Sequence, residues 1–198
     1  MKLADFDESY AAYGQVFDEF RDAYRLPLEW FREPDHFAIK CANAEEYEET
    51  LTIVRTEFSP IGMYEADIQQ RRLGSAKLAG RVGTGEISFG WVEIMEPKPD
   101  AAVAESFVEH SEFYMPDFFE LQRVLHMRGV EGVRSQDNGA HGYVSFPIDD
   151  HGREIKFNNK PLADVIRQEK LEDKVRLLMP EVEDTQPSAK VYKFPERD

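Results

Sequence analysis

Residues 35–41 read Asp35-His36-Phe37-Ala38-Ile39-Lys40-Cys41, and residues 109–114 read Glu109-His110-Ser111-Glu112-Phe113-Tyr114. Each stretch is an alternating run that opens on a histidine. Each is followed by a polar helix cap, Asn43 with Glu46 three residues on and Asp117 with Glu120 three residues on. In such a pair the side-chain oxygen accepts from free amides of the first helical turn while the glutamate reaches back, which marks a strand-to-helix joint. Side chains alternate between faces along a strand. His36, Ala38 and Lys40 therefore share one face, and His110, Glu112 and Tyr114 share the corresponding face of the second copy. Two similar halves, each presenting an imidazole at the same place, point to one shared polar site.

Outward from the first copy, Tyr47, Leu51, Val54 and Phe58 form the apolar face of a helix that Ser59-Pro60 and Gly62 close. Strand patterns follow over 61–68, 76–82 and 86–95, with Gly74, Gly83 and Gly85 as turn residues. Gly83-Thr84-Gly85 lacks the lysine and helix start of a phosphate loop and reads as a hairpin. After a crossover at Lys98-Pro99-Asp100, the second copy repeats the order. A helix over 118–128 ends at Gly129, and short strands near Val133, over 143–147 and over 154–158 are divided by Asn138-Gly139 and Asp149-Asp150-His151-Gly152. The reading is an α+β fold of two strand-helix-strand-strand-strand units, residues 33–97 and 102–160.

Residues 1–32 precede these units. Phe6, Tyr10, Tyr13, Phe17, Phe20 and Tyr24 recur at steps of three and four, which draws an aromatic stripe down one face of an N-terminal packing helix that stops before Pro27. Aromatic side chains carry large buried areas, so the stripe reads as core or interface. Leu162, Val165, Ile166, Val175 and Leu178 predict a C-terminal helix over 161–179, and residues 180–198 are polar and proline-containing, the composition of a flexible tail.

The 198 residues suffice for one domain with its decorations. A formal charge of −15, from 24 basic and 39 acidic residues, repels phosphate backbones and argues against nucleic acid as a partner. No apolar run approaches the ~20 residues of a membrane span. The opening Met1-Lys2-Leu3-Ala4-Asp5 turns acidic too soon for a signal peptide, so a cytoplasmic protein without a membrane partner is expected. The single cysteine, Cys41, lies on the strand face opposite His36 and reads as a small buried hydrophobe.

The duplicated unit with inward histidines on the first strand of each copy resembles the vicinal oxygen chelate superfamily, which includes glyoxalase I, bleomycin resistance proteins and extradiol dioxygenases. Within it the chain is most similar to the YecM-like group of metal-binding proteins. The likeness is carried by Asp35 to Cys41, by Trp91-Val92-Glu93-Ile94-Met95-Glu96-Pro97, by Glu109 to Phe113, and by Glu154-Ile155-Lys156-Phe157 leading into Pro161. It spans roughly residues 33–165. The resemblance implies two tandem βαβββ modules that form a curled mixed sheet around a cup, with metal ligands on the first and last strand of each. Carried over, those positions are His36 and His110 on the first strands and Glu93 on the last strand of the first module, with Glu96 if the register differs. The fourth position departs from the pattern, because Lys156 stands where many metal-dependent members have a glutamate and cannot ligate while protonated. Glu112, a water or a substrate oxygen are the substitutes.

Two neutral imidazoles and a carboxylate on a rigid sheet suit a divalent ion such as zinc, nickel, iron(II) or manganese. The function this implies is a metal-dependent enzyme acting on a small oxygen-rich substrate, with Glu93 or Glu112 as the base. Isomerase, lyase and dioxygenase chemistry remain open. The alternative is a non-catalytic protein that sequesters a small molecule as bleomycin resistance proteins do, which Lys156 and the many aromatic residues favour. Either would be a monomer or a homodimer. Among the remaining candidates, His141 and His151 read as exposed turn residues, His141 near the cup mouth, and His126 as structural. Arg71-Arg72 reads as an anion site or as charges that keep a sheet edge soluble.

Overall fold

A computed structural model describes residues 3–84, 87–99, 103–137, 142–182 and 192–193. The first histidine run forms β1 (Pro34–Lys40), and Asn43 then starts α2 (Ala44–Glu57) by accepting from the Glu46 amide at 2.9 Å. An N-terminal helix, α1 (Leu3–Ala23), and a single 3-10 turn (Leu28–Phe31) precede them. β2 (Pro60–Ile68), β3 (Arg71–Thr84) and β4 (Ile87–Met95) complete the first module. The second module repeats the order as β5 (Phe107–Tyr114), α3 (Phe119–Met127), β6 (Arg134–Asp137), β7 (Gly142–Pro147) and β8 (Glu154–Asn158). After it come α4 (Leu162–Leu171), β9 (Val175–Met179) and β10 (Tyr192–Lys193).

The strands make one mixed sheet in the order β6-β7-β8-β5-β1-β4-β3-β2-β9, and β10 pairs with β3 off that path. In each module the last strand runs parallel to the first, β4 to β1 and β8 to β5, and the two first strands join antiparallel at the centre. The sheet is thus continuous across the seam, which brings the two histidine strands side by side.

On the face opposite the histidines, Phe37, Phe113 and Phe157 are buried and meet Phe6, Phe17 and Phe31 at ring-centroid distances of 5.1–6.0 Å, and the buried Phe89 stands 5.8 Å from both Phe37 and Phe113. The aromatic stripe of α1 packs into this layer, as its spacing predicts. Tyr13 pins the helix to β5 and β8 of the second module: its hydroxyl accepts from the Ser111 amide and donates to the Glu154 carbonyl, both at 2.8 Å. Cys41 is fully buried, its Sγ 3.7 Å from the Thr50 hydroxyl, and burial pushes the thiol up to about 11.

Four local expectations need correction. Gly74 lies inside β3, where an added Cβ would meet Leu51 of α2 at 2.9 Å; the glycine permits close helix packing. The turn before it is made instead by Gln69 and Gln70, at φ 53° and 64°, joining Ile68 to its partner Arg71. Two positive-φ residues are what a type I′ hairpin demands, and here strand pairing imposes them on glutamines. At α3 the residue before the helix is Phe118, whose side chain caps nothing, and Glu120 turns to Arg123 at 2.8 Å.

The C-terminal helix stops at Leu171, and Val175 and Leu178 belong to β9, which extends the sheet beside β2. Arg176 of β9 pairs with the buried Glu65 of β2, so a local ion pair and a free sheet edge override the helical spacing. Of the expected tail, 183–191 and 194–198 lie outside the described residues, as do Asn138-Gly139 and His141. No helix among the described residues is long and apolar enough to cross a membrane.

Candidate functional site

Strand register decides which side chains share the cup. Ala38 of β1 lies opposite Glu93 of β4, Glu112 of β5 lies opposite Lys156 of β8, and across the seam His36 faces Glu112 while Ala38 faces His110. The internal repeat therefore matches His36 with His110, Glu93 with Lys156, and Ala38 with Glu112. Because one copy has only a methyl where the other has a carboxylate, Glu112 reaches between both imidazoles without a counterpart to repel it.

Glu112 Oε2 lies 3.2 Å from His36 Nε2 and 3.5 Å from His110 Nε2, and the imidazole centroids are 5.8 Å apart. The ligand atoms of these three residues all lie within 4.8 Å of one another. The histidines are 3% and 1% exposed, so the cluster is walled by protein on every side but the cup. Glu93 Oε2 stands 3.8 Å from His36 Nε2, an ion-pair distance and not a hydrogen bond.

Each imidazole is held from behind by the acid that precedes it. His36 Nδ1 lies 3.2 Å from Asp35 Oδ2, and His110 Nδ1 lies 3.1 Å from Glu109 Oε2. A carboxylate on Nδ1 holds a proton there and turns Nε2 toward the cup, the arrangement that orients metal-binding histidines. Asp35 is fixed in turn by the first amide of α4, Leu162 N–H, at 2.9 Å. A register shift between Pro34 and His36 breaks the ladder at this point. These two orienting acids had no role in the sequence reading. Their signal was present as an acid-histidine dipeptide at the opening of both first strands.

Charge is concentrated here. Burial alone would push His36 down, but Glu112 first, then Asp35 and Glu93, override it and hold the imidazole well above the usual histidine range. Burial likewise opposes the Glu112 charge; His36, His110 and Lys156 outweigh it, so the carboxyl is held well below its usual range. Glu109 is depressed too, against burial, by the hydrogen bond from His110 and by Lys156 and Lys40.

Lys156 occupies the position equivalent to Glu93, and its Nζ lies 3.4 Å from His110 Nε2, where the ammonium donates to the lone pair. His36 Nε2 differs: it is shielded from solvent and has no hydrogen bond of acceptable geometry among the described residues, despite the nearby Glu112 oxygen. That nitrogen faces the Glu112 carboxylate at ion-pair distance and the second imidazole.

Other candidates fall elsewhere. Glu96 binds the Arg72 guanidinium at 3.1 Å and accepts from the Arg72 amide, away from the cup, so the alternative register is excluded. Arg72 also pairs with Glu48 and lies 4.5 Å over the Tyr47 ring. His126 is exposed on α3, and His151 is an exposed turn residue whose amide donates to Asp149 Oδ1 at 2.9 Å.

No family model matches the chain, and no curated protein does. Among solved structures it is similar to a structural-genomics protein, EC4020, with TM-score 0.70 and 18% identity over 84% of this chain and 92% of that one. The two share a fold. Looser matches are a methylmalonyl-CoA epimerase from Mycobacterium tuberculosis, with TM-score 0.49 and 16% identity over 74% of this chain and 99% of that one, and a glyoxalase I mutant from Zea mays, with TM-score 0.36 and 13% identity over 64% and 46%.

Proposed function

We propose that the chain is a cytoplasmic, metal-dependent enzyme of the vicinal oxygen chelate type, acting on a small oxygen-rich molecule. The observation that carries this reading is the buried cluster in which the ligand atoms of His36, His110 and Glu112 all lie within 4.8 Å of one another. The donor set fits a divalent ion: in a tetrahedral shell with bonds of ~2.0–2.2 Å, neighbouring ligand atoms stand roughly 3.3–3.5 Å apart. The two separations of 3.2 and 3.5 Å from Glu112 are close to that. The duplicated βαβββ order and the likeness at residues 35–41, 91–97, 109–113 and 154–157 agree with it.

His36, His110 and Glu112 would hold the ion, with Asp35 and Glu109 behind the imidazoles, and the open cup would admit two substrate oxygens. When bound, such an ion acts as a Lewis acid toward a carbonyl. Glu93, on the first-module wall and outside the tight triad, is the carboxylate free to accept a proton from substrate. Its ion-pair contact with His36 Nε2, at 3.8 Å, is longer than a hydrogen bond, whereas Glu112 is committed between two imidazoles.

A second reading, a non-catalytic binding protein, is favoured by one observation: Lys156 already donates to His110 Nε2. The two are separated by metal content and melting temperature measured together on His36→Ala and His110→Ala. Each substitution is expected to abolish zinc binding and leave the fold intact, because the packing lies on the opposite strand face. Variants that unfold, or that retain full zinc affinity, would make the histidines structural and favour the binding-protein reading.

A further inference from the structure

The chain carries a net charge of −15, yet the cup above the histidine cluster collects cations. Its cavity, about 470 Å³, is lined by Lys40, Arg71, Lys98, Arg134 and Lys156 against Glu109, Glu112 and Glu154. Those carboxylates are already engaged. Glu109 binds Lys40 at 3.1 Å, Glu154 binds Arg134, and Glu112 is shared by the two imidazoles. Arg71, Lys98 and Lys156 remain with no carboxylate bound to them among the described residues. A positive mouth on an acidic protein attracts anions against the field of the rest of the molecule.

We infer that the substrate of this site is a small molecule bearing a carboxylate or phosphate, and that Arg71 at the cup mouth binds that group with Lys98 beside it. The inference rests on the proposed function for the reacting end of the molecule and adds its charged end. Two observations single out Arg71. Strand alternation sends Arg72 outward to Glu96 and Glu48, while Arg71 lines the cavity. The Arg71 Nε is shielded from solvent and has no acceptor among the described residues. A guanidinium presents a planar fork that matches a carboxylate or phosphate through two parallel hydrogen bonds, so an unfilled one in a cavity asks for such a group.

The backbone holds Arg71 at the mouth by an unfavourable turn. Gln69 and Gln70 at φ 53° and 64° are side-chain-bearing residues in the left-handed region, and Gln69 itself lines the cavity. Strain of this kind concentrates where the surrounding structure must aim a functional group. The volume suits a small molecule, near the lower end of the range for ligand sites.

The test uses the full chain stripped of metal and titrated by calorimetry with inorganic phosphate and, separately, with succinate. At least one of the two is expected to bind, and the one that binds better names the class, phosphate or carboxylate. Arg71→Gln is expected to weaken that binding by about tenfold or more, the scale for losing hydrogen bonds to a charged group, and Arg71→Lys by less. Zinc binding by Arg71→Gln should equal that of the unaltered chain. Should Arg71→Gln fail to fold, Lys98→Gln, at an exposed position, must weaken the same anion. The inference is overturned if neither anion binds, or if the folded Arg71→Gln protein binds it as well as before. If the unaltered chain takes up anion through Arg71 but no zinc, the anion site stands and the metal reading falls.

Discussion

Lys156→Met should tighten zinc binding by roughly 30-fold. The Lys156 ammonium lies 3.4 Å from His110 Nε2, the atom that would bind the ion at ~2 Å. An ion there would stand about 4 Å from the ammonium, where two unit charges repel by ~1 kcal/mol in water and ~4 kcal/mol in a partly buried setting. The double charge of the ion makes this ~2–8 kcal/mol. Lys156 is only half-buried and has a flexible stem, so it can swing into the cavity, which keeps the cost near ~2 kcal/mol, or roughly 30-fold in affinity. Methionine preserves the apolar stem and removes the charge. Competition against a fluorescent chelator at fixed pH and ionic strength gives the dissociation constants, with circular dichroism to check the fold. Lys156→Glu should exceed Lys156→Met, because it adds a ligand as well as removing a repulsion. If both folded variants bind zinc within about twofold of the unaltered chain, the assigned register of the site is wrong, since a charge so close to the ion would have to matter.

Zinc affinity should also depend on pH. His36 is held above its ordinary ~6.5, so the metal-free protein carries an imidazolium near neutrality and must release a proton to bind. Affinity then falls as pH drops, and calorimetric heats at neutral pH should scale with the ionisation enthalpy of the buffer; heats independent of the buffer would contradict this. By the same linkage, His36 stabilises the metal-free fold fully below ~6.5, and that contribution is lost as pH rises through its folded value. Tyr13→Phe should destabilise the chain by about 2 kcal/mol, because it strands the Ser111 amide of β5 and the Glu154 carbonyl of β8. Urea unfolding measures this, and a change under ~0.5 kcal/mol, the range of an ordinary surface substitution, would remove Tyr13 from the account of how α1 docks on the second module.

Much of the site was legible because strand alternation and helical spacing are local. His36 and His110 were placed on one face by counting residues, and the aromatic stripe of α1 and the βαβββ order emerged from the same counting. Glu93, Glu112 and Lys156 were recognisable as candidates, but their relation to one another depends on register between strands distant in sequence. Pairing Ala38 with Glu93 and Glu112 with Lys156 removed Glu96 from consideration and made Lys156 the counterpart of Glu93.

Where local signals were outvoted, the reason was an interaction across the fold. The Gln69-Gln70 turn carries no glycine or asparagine, and only the pairing of Ile68 with Arg71 forces it. The helical spacing at 175–178 yielded to an open edge on β2 and to the Glu65–Arg176 pair.

The sequence by itself determined which residues are apolar, which titrate and which face of each strand they occupy, because side-chain chemistry and backbone periodicity belong to single segments. Tertiary structure alone decided that Glu112 lies between two imidazoles, that Lys156 stands opposite it where the first module has Glu93, and that the two imidazoles come to within 5.8 Å of each other. Each of these follows from the antiparallel seam between β1 and β5 and from the register of their neighbours. Those contacts form between chain segments tens of residues apart, where no periodicity reaches.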